Sequence, residues 1–169
     1  ALRTLALLPV VLGLAYPLLA TWTISGGLSP SNGWTLDGAA HLARDAQDDY
    51  AAIQWINATL KGGVLAEAAR SGSSYSGFAR IATHTGLPSV LGWDFHEWQW
   101  RGSWTEQGTR VQDLSTLYTT RDWIEAQAIM DRYAIDYVYV GPLEASTYRP
   151  LALTKFAMFL DEVYRNGEV

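Results

Sequence analysis

The chain has 169 residues, no cysteine and a formal net charge of -5. A polypeptide of this length can bury roughly two-thirds of its unfolded surface, so a core needs no disulfides, and the missing thiols exclude a disulfide framework and a thiolate metal site. The acidic balance without a basic stripe argues against nucleic-acid binding. Eight Trp and nine Tyr are typical of proteins that work at a membrane interface or on sugars, although a large aromatic core is an alternative.

The first element is an uncharged segment. No side chain from Thr4 to Trp22 carries a charge, and a helix rising about 1.5 Å per residue over this length nearly crosses the roughly 30 Å hydrocarbon core of a bilayer. The pattern predicts a transmembrane helix over 4–22, the last span of a longer protein, with Arg3 at its cytoplasmic end and the rest of the chain outside the cytoplasm. A cleaved signal peptide is the alternative.

The middle of the chain alternates between helical and strand patterns. Gly and Ser in 23–36 predict a linker, and 37–169 follows as an extracytoplasmic domain. Apolar residues recur at helical spacing in 37–60, which predicts a helix, and the apolar run 64–68 predicts a buried strand. We expect a short helix over 75–83 and a second strand over 88–93.

The last third of the chain contains the best-defined patterns. Residues 110–118 are weakly helical, and Asp122 with Glu125 three residues later resembles the capping box that begins a helix. The run 135–141 is rich in β-branched and aromatic residues and predicts a strand, and 154–166 predicts an amphipathic helix. Because Asn-Gly at 166–167 commonly turns one strand into the next, we expect a further strand after Val169. The alternation indicates an α/β fold with a small, mostly parallel sheet and flanking helices.

Candidate site residues gather where the predicted strands end. Ligands collect beyond the carboxyl ends of parallel strands, which would bring together Glu67, the loop 71–75, the segment 93–101 and the loop after Gly141. This segment mixes tryptophans with an imidazole and a guanidinium, and these groups combine rigid surface with directional donors. The predicted substrate-binding residues are Glu67, Tyr75, Arg80, Trp93, His96, Glu97, Trp98, Trp100 and Arg101.

Each of these groups also has a structural interpretation. Arg101 could simply pair with Glu97 four residues earlier on a short helix. Glu67 lies in an apolar run and requires a partner such as Arg80, as a structural pair or as a poised acid. Asp94, His96 and Glu97 could ligate a metal ion, but they lack the i, i+4 spacing of a helical zinc site, and we expect no metal. The loop 71–77 could hold a phosphate, yet it matches no known phosphate-binding pattern, and we expect no cofactor.

Several segments resemble a known family. The family is the YYY-type polytopic membrane proteins, and the similarity to its carboxyl-terminal region runs from about residue 36 onward. The segments that carry it are YAAIQWIN (50–57), LAE (65–67), SYS (74–76), RI (80–81), TGLPSVLGW (85–93), HE (96–97), QWRG (99–102) and IDYVYVG (135–141). The Tyr-Tyr-Tyr-x-Gly run that names the family does not occur in this chain.

The resemblance implies a function. The layout of that family, many membrane helices followed by an external α/β domain, is similar to that of polyprenyl-phosphate-sugar-dependent glycosyltransferases, whose catalytic carboxylate lies between earlier membrane helices. It therefore implies a substrate-recognition domain with no catalytic residue of its own, on the extracytoplasmic side of the cell membrane. Its implied partners are a lipid-linked sugar or glycan, the membrane and the transmembrane part of the same protein. A non-catalytic carbohydrate- or protein-binding module of a cell-envelope protein is the alternative, and an independent metal hydrolase is a third hypothesis.

Overall fold

The computed structural model describes residues 2–29 and 33–169, with side chains from residue 9 onward except at position 11. The chain divides into two compact units, residues 1–40 and 41–169. The first unit contains helix α1 (Leu2–Ile24), which includes Pro9 and Pro17 and ends in a turn over 25–28. Residues 30–32 of the predicted linker lie outside the described residues, and 33–37 adopt no regular structure.

Helix α1 covers the whole of the predicted transmembrane segment. Its side chains at Leu12, Tyr16, Leu18 and Trp22 are exposed. Over the part of the chain that the structure describes, no helix combines the length and the apolar character required to cross a bilayer. The membrane span therefore stays a prediction.

The second unit is rich in helices and contains one small parallel sheet. Its elements in chain order are α2 (Ala40–Asp45), α3 (Gln47–Thr59), β1 (Val64–Ala66), α4 (Arg80–Thr85), α5 (Asp94–Arg101), α6 (Arg110–Thr119), α7 (Trp123–Tyr133), β2 (Ile135–Val138), α8 (Pro142–Thr147) and α9 (Thr154–Phe159). Strands β1 and β2 pair in parallel with Leu65 opposite Tyr137. The expected α/β class with a parallel sheet is confirmed at this level.

The core lies on both sides of the sheet. Successive strand residues point to opposite faces, so Leu65 packs into one apolar cluster and Ala66 into the other. The cluster around Leu65 includes α3 and α4 residues, and the cluster around Ala66 includes α6 and α7 residues.

The predicted strand over 88–93 is wrong. This segment forms a single bridge between Ser89 and Leu65, in which the Leu65 N–H donates to the Pro88 carbonyl at 2.8 Å and the Val90 N–H donates to the Leu65 carbonyl at 3.1 Å. Proline has no N–H to add to a ladder, and the chain enters α5 at Asp94. Pro88 on one side and the start of α5 on the other leave room for a single bridge.

Three helix predictions were wrong at their boundaries. The helix expected over 37–60 is interrupted at Ala46, whose φ of -148° is not helical. The helix expected over 75–83 begins only at Arg80. The helix expected over 154–166 ends at Phe159, and the chain continues as an irregular segment. The α7 start is as predicted, because the Asp122 carboxylate accepts a hydrogen bond from the Ile124 N–H. Helix α8 was not predicted.

Candidate substrate-binding cleft

Four of the predicted residues form one aromatic row. The Tyr75 ring lies 5.4 Å from Trp93 and 5.0 Å from His96, and the His96 ring lies 6.0 Å from Trp100, between ring centroids. Tyr75 is 77% exposed and Trp100 is 81% exposed. The row, Tyr75–Trp93–His96–Trp100, therefore exposes the rings at its two ends to solvent.

Local geometry explains why these rings meet. His96 and Trp100 are separated by four residues on α5, so they lie on the same face of the helix. Trp93 precedes the helix and its indole N–H donates to the Phe78 carbonyl at 2.7 Å. Tyr75 has a φ of 49°, in the left-handed region that costs an L-residue roughly 1–3 kcal/mol and is often retained at functional sites.

Asp94 fixes the loop of Tyr75 against α5. Its buried carboxylate accepts hydrogen bonds from the N–H groups of Gly72 at 3.0 Å and Ser73 at 2.8 Å, and from the Phe95 N–H at 2.7 Å. The amides that the sequence offered as a phosphate cradle at 71–77 therefore bind a side chain of the same domain. No group of three potential metal ligands occurs among the described residues, and the Asp94 oxygens are committed to these amides.

The other predicted α5 residues do not join the row. Trp98 stacks between Phe95 at 5.3 Å and Trp104 at 5.7 Å, in a separate aromatic group. Arg101 lies 3.8 Å from Glu97 in an i, i+4 ion pair, and Glu97 also accepts from the Gly92 N–H. The structural interpretation of the Glu97–Arg101 pair is therefore correct, although an exposed pair of this kind stabilises little. A binding role for Trp98 and Arg101 stays a prediction.

The row begins in a cleft of about 710 Å³. Tyr75 and Trp93 line one part of it, and residues of α2, α4 and α8 line most of the remainder. Arg80 and Asp49 also contribute to its lining. This volume lies in the usual range for sites that bind a small molecule.

Beneath the cleft, Arg80 is held by two carboxylates. Its guanidinium donates to Asp49 at 2.7 and 3.0 Å and to Glu144 at 3.1 and 3.0 Å. Burial alone would lower the pKa of Arg80, but the hydrogen bonds to Asp49 and Glu144 outweigh it and raise that pKa. The Tyr139 hydroxyl donates to Asp49 at 2.6 Å, and burial together with this bond raises the pKa of Tyr139. With these raised pKa values, Arg80 is charged and Tyr139 is neutral at pH 7.

Glu67 has a different partner from the one expected. Its carboxylate accepts hydrogen bonds from the N–H groups of Ile81 at 3.0 Å and Ala82 at 2.9 Å, in the first turn of α4. Burial raises the pKa of Glu67 to about 7, although the two amide bonds oppose the shift. Glu67 therefore positions the helix that carries Arg80, and Arg80 itself pairs with Asp49 and Glu144.

Sequence reasoning missed four residues of this region. His41 and His84 both line the cleft, with ring centroids 5.9 Å apart. Neither the spacing of the histidines nor their surroundings indicated that they would meet. Asp49 offered a signal, because it lies on the apolar face of α3 and a buried acid requires a cation. The signal for Glu144 was weaker, because this residue only lies two positions after the Pro142 that begins a helix.

No family model, no curated protein and no solved structure matches this chain.

Proposed function

We propose that the second unit is the substrate-recognition domain of a membrane glycosyltransferase that uses a polyprenyl-phosphate-linked sugar, and that the sugar binds in the cleft beside the aromatic row. The observation that carries the proposal is the contact of Tyr75, Trp93, His96 and Trp100 in one row. Tyr75 and Trp93 of this row line a cleft of about 710 Å³. Three further features support it.

The first is the exposure of the row. Tyr75 and Trp100 are both more than three-quarters exposed. A ligand that covers these large apolar faces removes them from water, which contributes favourably to the free energy of binding. Rigid aromatic faces match the apolar faces of a sugar ring with little loss of side-chain entropy. The polar tips of Tyr75 and Trp100 can bind hydroxyl groups at the same time.

The second is a small set of polar groups in a mostly apolar cleft. Arg80 and the imidazoles of His41 and His84 line it, and such groups donate hydrogen bonds to hydroxyl or phosphate oxygens. One guanidinium faces two carboxylates there, so this part of the cleft matches the hydroxyl groups of a sugar better than a phosphate, and it is a poor match for a highly charged nucleotide.

The third is the context of the domain. The resemblance to the YYY-type proteins and the uncharged segment 4–22 support a position at the cell membrane, with the domain on the extracytoplasmic side next to the transmembrane part of the same protein. In such enzymes the catalytic carboxylate belongs to the membrane part. Accordingly, we assign binding and no catalytic step to the residues of the cleft.

Binding of a short-chain polyprenyl-phosphate sugar tests the proposal. Titration with this ligand in detergent micelles, followed by ligand-observed NMR, should show saturable binding. Trp100→Ala and Tyr75→Ala should each weaken it by at least tenfold, equivalent to about 1.4 kcal/mol. Trp104→Ala is the matched control, because Trp104 is also exposed and stacks in the separate group with Trp98.

The pattern of results separates the candidate functions. Unchanged affinity in folded Trp100→Ala and Tyr75→Ala variants would rule out the aromatic row as the sugar site. A free glycan that binds as tightly as the lipid-linked sugar would favour a non-catalytic carbohydrate-binding module of a cell-envelope protein.

A further inference from the structure

Strand β2 has an open edge. The Tyr139 N–H donates to the Ala66 carbonyl at 2.9 Å, and Tyr137 is the ladder partner of Leu65. Backbone groups alternate in direction along a strand, so the N–H and C=O groups of Val138 and Val140 point away from β1. They have no hydrogen-bond partner among the described residues. Such an edge is a template for one more strand.

A slot of about 540 Å³ lies directly beside this edge. Its other wall is the segment 160–169, which continues from α9 without helix or strand. Its interior is largely apolar, with contributions from Ile56, Leu65, Phe156, Leu160 and Val163. The slot therefore lies between the open edge of β2 and a stretch of backbone that belongs to no strand.

The segment 160–169 is held in place on its outer side. The Tyr164 ring packs against Trp55 with centroids 5.0 Å apart, and the Glu168 N–H donates to Asp48 at 3.1 Å. The segment 160–169 is thus anchored to α3.

A hairpin turn points into the slot. The Asn166 N–H donates to the Val169 carbonyl at 2.8 Å, and the Val169 N–H donates to the Asn166 carbonyl at 2.9 Å. This reciprocal pair around two central residues is the start of a β-hairpin. Gly167 is required there, since its φ is 54° and a Cβ would lie 2.4 Å from the Asp48 carboxylate. Val169, the first residue of the second arm, lines the slot.

We propose that the slot takes one further β-strand, which enters from the Asn166–Val169 turn and pairs with β2 on one side and with 161–165 on the other. The strand would satisfy the free groups of Val138 and Val140 and place alternate apolar side chains in the slot. Asp161 and Glu168 lie on the rim without a cationic partner in the described part of the chain, so a basic residue on the exposed face of the strand matches the local charge.

Amide hydrogen exchange tests this inference residue by residue. The chain is extended after Val169 by Thr-Val-Thr-Val-Arg-Val, or by Gly-Ser-Gly-Ser-Arg-Ser as the matched control, and exchange is followed by NMR. With the first extension, exchange at Val138 and Val140 should slow by at least tenfold relative to the unextended chain. Tyr139, which already donates to Ala66, serves as the internal reference and should change little.

Three outcomes would overturn the inference. One is equal slowing by both extensions, and a second is no slowing by either. The third is that exchange at Tyr139 slows as much as exchange at Val138, because that would indicate general stabilisation.

A variant of the turn tests how the strand enters the slot. In the extended chain, Gly167→Val should abolish the added protection of Val138, while unchanged exchange at Tyr139 shows that the domain is still folded. Retained protection would refute entry through the turn.

Discussion

Replacing Arg80 with methionine should destabilise the second unit strongly. Arg80 makes four hydrogen bonds of 2.7 to 3.1 Å to Asp49 and Glu144, and all three residues are buried. Methionine fills a similar volume but leaves two buried carboxylates without a cation. Removing one member of a buried ion pair typically costs about 3–5 kcal/mol, a large part of the roughly 5–15 kcal/mol that stabilises a domain.

Urea unfolding followed by tryptophan fluorescence measures this loss. The midpoint should fall with little change in the slope, because the folded state keeps its compactness. Arg132→Met is the control. Arg132 makes a single ion pair with Asp113 and is exposed, so its removal should cost several-fold less.

A second variant tests the cause. In the Arg80→Met background, Asp49→Asn and Glu144→Gln together should recover much of the lost stability, since they remove the uncompensated charges. A loss below about 1 kcal/mol for Arg80→Met, or no recovery in the triple variant, would refute a charge-centred account of the cluster.

Two other predictions concern pH and helix capping. Burial raises the pKa of Glu67 to about 7, so the folded domain binds this proton more tightly than the unfolded chain does. The resulting contribution to the free energy of unfolding is complete below about pH 4.5 and is lost as the pH rises through 7. Relative to Glu67→Gln, the wild-type free energy of unfolding should fall by about 3 kcal/mol between pH 4.5 and 8. Urea unfolding at several pH values measures this, and the same pH dependence in both proteins would contradict the prediction. Asp122→Ala should cost about 1 kcal/mol by loss of the bond to the Ile124 N–H, whereas an unchanged thermal midpoint would show that the α7 cap contributes nothing.

The elements that the sequence predicts well depend on local patterns. Helix α7 has a capping acid followed by apolar residues at helical spacing, and β2 consists of β-branched and aromatic residues apart from Asp136. Both signals lie within one element, so they do not depend on distant partners. The aromatic row was foreseeable in part for the same reason, because His96 and Trp100 are one helical turn apart on α5.

Predictions failed for segments whose secondary structure depends on a long-range contact or on a single break in the backbone. The run 88–93 has the composition of a strand, yet only Ser89 bridges to Leu65. The segment 161–166 has helical periodicity, but it runs without helix along the slot, anchored by the packing of Tyr164 on Trp55. Tertiary packing overrides weak propensity in such segments.

The sequence by itself determined the class of the fold, the dense aromatic segment around α5 and the need for partners at buried charges. Only the tertiary structure decided which partners those charges have. Glu67 binds the amides of α4, and Arg80 joins Asp49 from α3 with Glu144 from α8. A sequence states that a buried charge must be compensated, since an isolated one is too costly. The identity of the compensating group depends on how elements tens of residues apart pack, and that packing is a property of the whole domain.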